Sequence, residues 1–445
     1  MRRDFPMIFR RWVWLVLLLA AAPGWSRCTN TKAGQTENEY TAIIPFGKVN
    51  LTDVHLAPVG SLLASVVVPP TNYTYGGASG ATVLWECDEA DLSSIYFLVA
   101  TNGDDRVGGF YDLGAVDGLA NVYATWFAYV GIRQTMAGVT LTRYWQKVPI
   151  TNWNKTDKGK VQIRLQDIPP LQAELYRIST LPGTSSNSYW CGNNNTDGGG
   201  IRFAKPGGAV YSCTQPNSYI QLSSNDDNVV PFAHDLPGED SATHYDFWGV
   251  DNGFGYGMRT GSTLYSNPTC VARSADPLVV LPPISVNDLN NGLTSGARFS
   301  VLVECSEAAQ SGVGDTQTAM GFQVSEGAFS AAKTLGLVNA SGGVSALVSD
   351  NYFANGVAKG VGITLAHSSA PGAPLTLLGQ PAAAAGGAAA GWYPVLQGAT
   401  KAGSALNGYS HYTYSLIATL KKLNDTQNVT AGRVKATAYV VVKMQ

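Results

Sequence analysis

Residues 433–445 read RVKATAYVVVKMQ, with Val434, Ala436, Ala438, Val440, Val442 and Met444 on one face and Arg433, Lys435, Thr437 and Lys443 on the other. A period of two predicts a half-buried β-strand. Shorter alternating or apolar runs recur at 61–68, 81–86, 95–99, 139–144, 161–165, 299–303, 360–365, 375–378 and 412–417, separated by clusters of Gly, Pro, Asn and Asp. Such spacing predicts an all-β protein of sandwiches rather than alternating βαβ units. The stretches 181–200 and 250–270 read as loops from their Gly, Asn and Ser content, the second as a domain boundary. The run 379–391, GQPAAAAGGAAAG, reads as a surface excursion with too few large side chains to build a core.

The first residues carry Arg2, Arg3, Arg10 and Arg11, then an apolar run from Trp12 to Ala22, then small residues around Gly24 and Ser26. That is the pattern of a secretory signal over 1–26. The apolar run is short of the roughly 20 residues that span a bilayer. The expectation is that the mature chain is exported and soluble. Charged residues make up only 13% of the chain and the net charge is −2, with no basic block, so nucleic acid is not an expected partner. With 49 Gly and 22 Pro, the composition favours short strands and many turns. Six cysteines in an exported chain favour three disulfides. Pairing in chain order, Cys28–Cys87, Cys191–Cys213 and Cys270–Cys305, keeps each bridge inside one expected domain. There is no CxxC.

From residue 267 onward the order is a cysteine, LPPISVNDL, GARFSVLVEC, GVGITL, an Ala/Gly-rich loop and YSLIATLKKLNDTQNVTAGRVKATAYVVVKMQ. This resembles the pilin domain of two-domain tip adhesins of bacterial chaperone/usher pili, VTAG before an alternating strand being the most specific part. Met444 stands where that family usually has an aromatic residue. The resemblance implies an N-terminal β-sandwich, lectin-like domain (27–258), a linker (259–266) and a C-terminal incomplete immunoglobulin-like pilin domain (267–445). It implies a groove along Val434, Ala436, Ala438, Val440, Val442, Met444 and Gln445, filled first by a periplasmic pilus chaperone and then by a strand from the adjacent pilus subunit. An outer-membrane usher is the further implied partner, and the chaperone's basic residues are expected to grip a carboxylate at Gln445. The resemblance implies secretion through the periplasm to the cell surface and, because 27–258 stands where a donor peptide would be, a place at the pilus tip.

A glycan receptor is the implied ligand of the first domain. Sugar binding needs Asp, Asn or Gln beside an aromatic ring. Two regions supply those types: Trp190, Asn193, Asn194 and Asp197 with Tyr189, and Asp246, Trp248, Asp251 and Asn252 with Asp240 and Tyr245. His234 and His244, with nearby Asp235, Asp240 and Asp246, have ligand chemistry for zinc but not its usual spacing, so no metal and no cofactor is expected. No GxSxG, HExxH or P-loop is present, and binding without turnover is the expectation. The competing readings are a secreted β-sandwich glycoside hydrolase, whose two carboxylates sequence alone cannot locate, and a metal-dependent adhesin.

Overall fold

A computed structural model describes residues 27–31, 41–73, 77–182, 191, 201–380, 382, 385–424 and 428–445. The expected signal, 1–26, lies outside the described residues. The chain is all-β, with short helices at Val286–Asn290, Glu326–Thr334 and Gly387–Ala390. No described helix is long and apolar enough to cross a membrane. Buried side chains fall into two principal clusters, one from Cys28 to Leu264 and one from Cys270 to Val429. The cysteines are joined as Cys28–Cys87, Cys191–Cys213 and Cys270–Cys305.

The first core lies between several small sheets. One runs Gln146–Val148, Ile95–Thr101, Ser218–Ser224, Phe254–Gly257 and Ala42–Ile43; another runs Leu62–Val68, Leu171–Arg177, Val130–Met136 and Tyr123–Ala124. Ile95–Thr101 and Ser218–Ser224 bury every side chain. Ser218–Ser224 is covered on both faces although Ser218, Gln221, Ser223 and Ser224 are polar; their side chains are hydrogen-bonded to Gln134, Asp235 and the Ser94 carbonyl.

Two expectations about 250–270 fail here. Phe254–Gly257 is a strand antiparallel to Ser218–Ser224, and Phe254, Tyr256 and Met258 are fully buried. Residues 259–266 are not a linker: Arg259–Gly261 turns, and Ser262–Tyr265 pairs in parallel with Gly47–Asn50 while burying Leu264. The glycines of this stretch serve close packing rather than turning. At Gly253, φ is +129° and a Cβ would stand 1.9 Å from the Ile220 carbonyl oxygen.

Behind Cys270 the strands Cys270–Ala275, Ser295–Ser306, Tyr409–Lys422 and Val361–His367 form one sheet in that order, with Ala399–Leu406 also paired to Tyr409–Lys422. A second sheet is Tyr393–Pro394, Thr318–Val324 and Ala438–Met444. The run 375–378 is not a regular strand. Its residues bridge Leu365, Val344 and Gln323 in turn, so it ties separate segments together. Of 139–144 only Val139–Thr140 is strand. The Ala/Gly-rich run is also not a bare excursion: Gly387–Ala390 is helical, and Ala390 is buried with Trp392, Leu378 and Ala319 in a satellite cluster that takes in Val441. Small side chains let this helix lie close to Trp392, covering the face of the terminal strand turned away from the main core.

Candidate functional site: an open groove beside the terminal strand

The terminal strand Ala438–Met444 sits at a sheet edge. Thr318–Val324 is its strand partner, antiparallel with Val440 opposite Phe322, and no described strand pairs with its other side. One edge of the other sheet is Cys270–Ala275, after which 276–285 joins no ladder. Pro282 and Pro283 lack the N–H groups a ladder would need. A groove of about 620 Å³ is lined by this stretch, 278–286, together with Leu289, Ala358, Val361, Ile363, Leu420 and 429–436 except Arg433, the approach to the terminal strand. Its lining is mainly Val, Leu, Ile, Pro and Ala. Leu278 is 77% exposed and Val280 72%, while Val279, Leu281 and Ile284 pack against the core. An apolar channel walled by a stretch that joins no ladder and by the approach to an edge strand has the chemistry to accept one more strand.

The wall opposite 278–286 is built by VTAG. Val429 is buried, Thr430 Oγ1 accepts the Lys359 N–H at 2.9 Å, and the Thr430 N–H donates to Lys359 O at 3.2 Å. Arg433 N donates to Gly356 O at 2.9 Å, and Ala358 N donates back to Arg433 O at 3.1 Å. Gly432 is required by closeness: a Cβ there would stand 2.4 Å from Ala358 N. Asp350 then fixes the entry to the terminal strand. Its carboxylate accepts from Thr437 N at 2.9 Å, Thr437 Oγ1 at 2.7 Å and Ser325 Oγ at 2.6 Å.

The residues expected along the groove divide into three groups. Val434 and Ala436 line it directly. Ala438, Val440 and Val442 form the inward row of the terminal strand, partly buried against the second core. Met444 and Gln445 lie elsewhere, buried where the two cores meet. Asn267 Nδ2 donates to Met444 Sδ at 3.2 Å, and Gln445 O accepts from Lys48 Nζ at 2.7 Å and Thr316 N at 2.9 Å. Nearby Lys48 pairs with Asp315, holding that carboxyl below its usual range. Burial, reinforced by the charge of Lys48, lowers the Lys443 ammonium from its ordinary value. Sequence reasoning missed the wall at 278–286; the signal was LPPISV, apolar residues too interrupted by proline for a ladder strand.

The expected sugar-binding residues that are described, Asp246, Trp248, Asp251 and Asn252, serve different roles. Trp190, Asn193, Asn194 and Asp197 lie outside the described residues, beside Cys191. Asn252 is fully buried and holds the core: its Oδ1 accepts Trp85 Nε1 at 2.9 Å, and its Nδ2 donates to Leu222 O at 2.9 Å and Ala233 O at 3.2 Å. Trp248 is half-buried against Tyr219 and Phe247. Asp251 takes φ +54° at the end of the turn, with its carbonyl accepting Asn30 Nδ2. Asp246 is exposed at the surface. Both His234 ring nitrogens face main-chain oxygens, Phe232 O at 2.8 Å and Ser224 O at 3.0 Å, whereas His244 is half-exposed beside Thr243. Among the described residues no group of three His, Cys, Asp or Glu is placed to hold a metal ion.

Residues 258–445 match the fimbrial protein family. No curated protein matches the chain significantly. Among solved structures the chain is similar to the rod subunit PapA of the P pilus, at 15% identity, over 40% of this chain and 99% of that one, with a TM-score of 0.23. It is similar also to a chaperone-usher pilus structure concerned with rod uncoiling, at 14% identity, over 40% of this chain and 87% of the other, with a TM-score of 0.23.

Proposed function

We propose, on the premise that residues 258–445 are a fimbrial subunit of the chaperone-usher kind, that this chain is a pilus tip adhesin. Its C-terminal body is completed by a strand from a chaperone and then from the adjacent subunit, and its N-terminal body binds a glycan without turning it over. The observation that carries the reading is the open apolar groove between 278–286 and 429–436, with the terminal strand unpaired on the side away from Thr318–Val324. An inserted strand would supply both the missing main-chain partners and the missing apolar side chains. Each large side chain buried is worth about 1.5–3 kcal/mol, so four would rival the ~5–15 kcal/mol stability of a typical domain. The tip position is supported by the folded state of the residues before Cys270. Ile44 and Val49 are buried, and Cys28 is bridged to Cys87, so the described part of this region is a core and not an extended arm.

The test is thermal melting of the full chain with and without a peptide of alternating apolar residues. The peptide should raise the melting temperature of the C-terminal body by about 10 °C or more, from the burial above. A chain that melts at the same temperature with and without saturating peptide has no strand to accept, and the proposal fails. Glycan binding is tested separately, by presenting the full chain to immobilised glycans and assaying for released product.

A further inference from the structure

On the outer face of the sheet carrying Ile95–Thr101 and Ser218–Ser224 there is an open-mouthed cavity of about 340 Å³, lined by Lys147, Asn225, Leu236 and Pro237. We propose that this cavity is the ligand site of the N-terminal body and that it takes a carboxylated sugar. The inference rests on the adhesin reading above and adds to it the place of the site and the chemical class of its ligand.

The lining offers donors and one apolar wall. Lys147, opposite Leu98 in the ladder, holds its ammonium 3.9 Å from the centre of the Tyr96 ring, and no described carboxylate pairs with it. Tyr96 is itself buried, and its hydroxyl donates to Asn225 Oδ1 at 2.5 Å. With Oδ1 occupied in this way, Nδ2 is what Asn225 has left to offer, and no described residue accepts from it. Leu236, 42% exposed, and Pro237 form the apolar side. An ammonium fixed over a ring, an amide donor and an aliphatic wall suit a ring with one anionic group, acceptor oxygens and a C–H face. A cavity of this size lies in the range of small-ligand sites.

The walls are held in place before any ligand arrives. Asp235, buried next to Leu236, accepts from Gln221 Nε2 at 2.7 Å and from Asp246 N at 3.1 Å, and its own N–H donates to Gln221 Oε1 at 2.9 Å. The neighbouring acids are engaged elsewhere. Asp226 accepts from Asn228 N and Nδ2, both at 2.9 Å, Glu239 accepts from Leu236 N at 2.6 Å, and Asp227 faces His234. Lys147 is the one charged residue among the four that line the cavity.

The experiment titrates the full chain with N-acetylneuraminic acid, glucuronic acid and glucose, following NMR line shifts at low and high salt. The acid sugars should bind and glucose should bind at least about tenfold more weakly, with salt weakening only the acid sugars. Lys147→Ala and Lys147→Glu should each lower acid-sugar affinity by about tenfold or more, Lys147→Arg should retain most of it, and melting should be unchanged because Lys147 is exposed. Acid-sugar binding that survives Lys147→Glu, or its absence in the parent chain, overturns the inference. Immobilised glycans separate the two failures. Capture of neutral glycans regardless of Lys147 removes this site and leaves the adhesin reading standing, whereas capture of none removes both.

Discussion

Asn252 has the chemistry of a sugar ligand and serves the core instead. Trp85 Nε1, Leu222 O and Ala233 O all depend on it, and Asn252→Leu leaves them buried without partners. At about 1–3 kcal/mol for each orphaned group, the loss should be about 3 kcal/mol or more, read by urea denaturation. A loss below about 1 kcal/mol would show that the amide does not hold these strands together. The sequence displayed the residue type but not its direction. An Asn before a Gly-rich stretch looks the same whether its amide faces water or a buried indole, and only the fold placed Trp85 beside it. Gly253 next to it is comparable: its glycine was legible as a turn, and the reason for it, Ile220 O at 1.9 Å from any Cβ, belongs to another strand.

Among the elements, the terminal strand and its approach carry the proposed function. Asp350→Ala removes three hydrogen bonds that fix Thr437 and Ser325, and should loosen the entry without unfolding the rest. Amide exchange at Tyr439 to Val442 should speed up by about tenfold or more, while Tyr409–Lys422 stays protected. Equal acceleration in both strands would mean that Asp350 supports the whole body. At the groove itself, Val434→Asp sets a charge in an apolar wall, and donor-peptide affinity should fall by at least about tenfold with little change in glycan binding. Unchanged peptide affinity would place the inserted strand elsewhere. The alternation of 433–445 was plain, yet ladder pairing covers only Ala438–Met444, because Asp350 and the 356–360 segment claim the residues before it.

At the scale of the molecule, the two cores meet through a carboxylate. Glu304, 3% exposed, accepts from Arg273 Nε at 2.6 Å and from His55 Nε2 at 2.9 Å, with His411 Nε2 at 3.6 Å. Arg273 also donates to His55 O at 2.8 Å, and the His55 ring lies 4.5 Å from Tyr409. Burial alone would raise the Glu304 carboxyl. The hydrogen bonds from His55 and Arg273 and their charge outweigh it and hold the group below its ordinary 4.5. A depressed carboxyl stabilises the folded junction at pH above about 4.5, and that contribution is lost as pH falls through the folded value. Acidification from pH 6 to 3 should therefore loosen the junction in the parent chain, and Glu304→Gln should show the loosened state already at pH 6. Spin labels on the two bodies report this as a broadened distance distribution. A distribution identical in parent and variant across that range would remove Glu304 from the junction.

What the sequence by itself determined is what short-range periodicity and residue chemistry can encode: an all-β chain, alternation at its last strand, and VTAG, whose glycine is dictated by backbone closeness. Tertiary structure decided the rest. Whether Phe254–Gly257 and Ser262–Tyr265 are loop or core depends on strands far away in the chain, since glycine serves both turns and tight packing. Whether 278–286 is a strand or the wall of a groove depends on a neighbour that does not pair with it. The Lys147 cavity is assembled from three segments whose contacts arise only when Ile95–Thr101 lies between Gln146–Val148 and Ser218–Ser224. Pairing partners are chosen by burial summed over a whole sheet, a quantity that no local window of sequence contains.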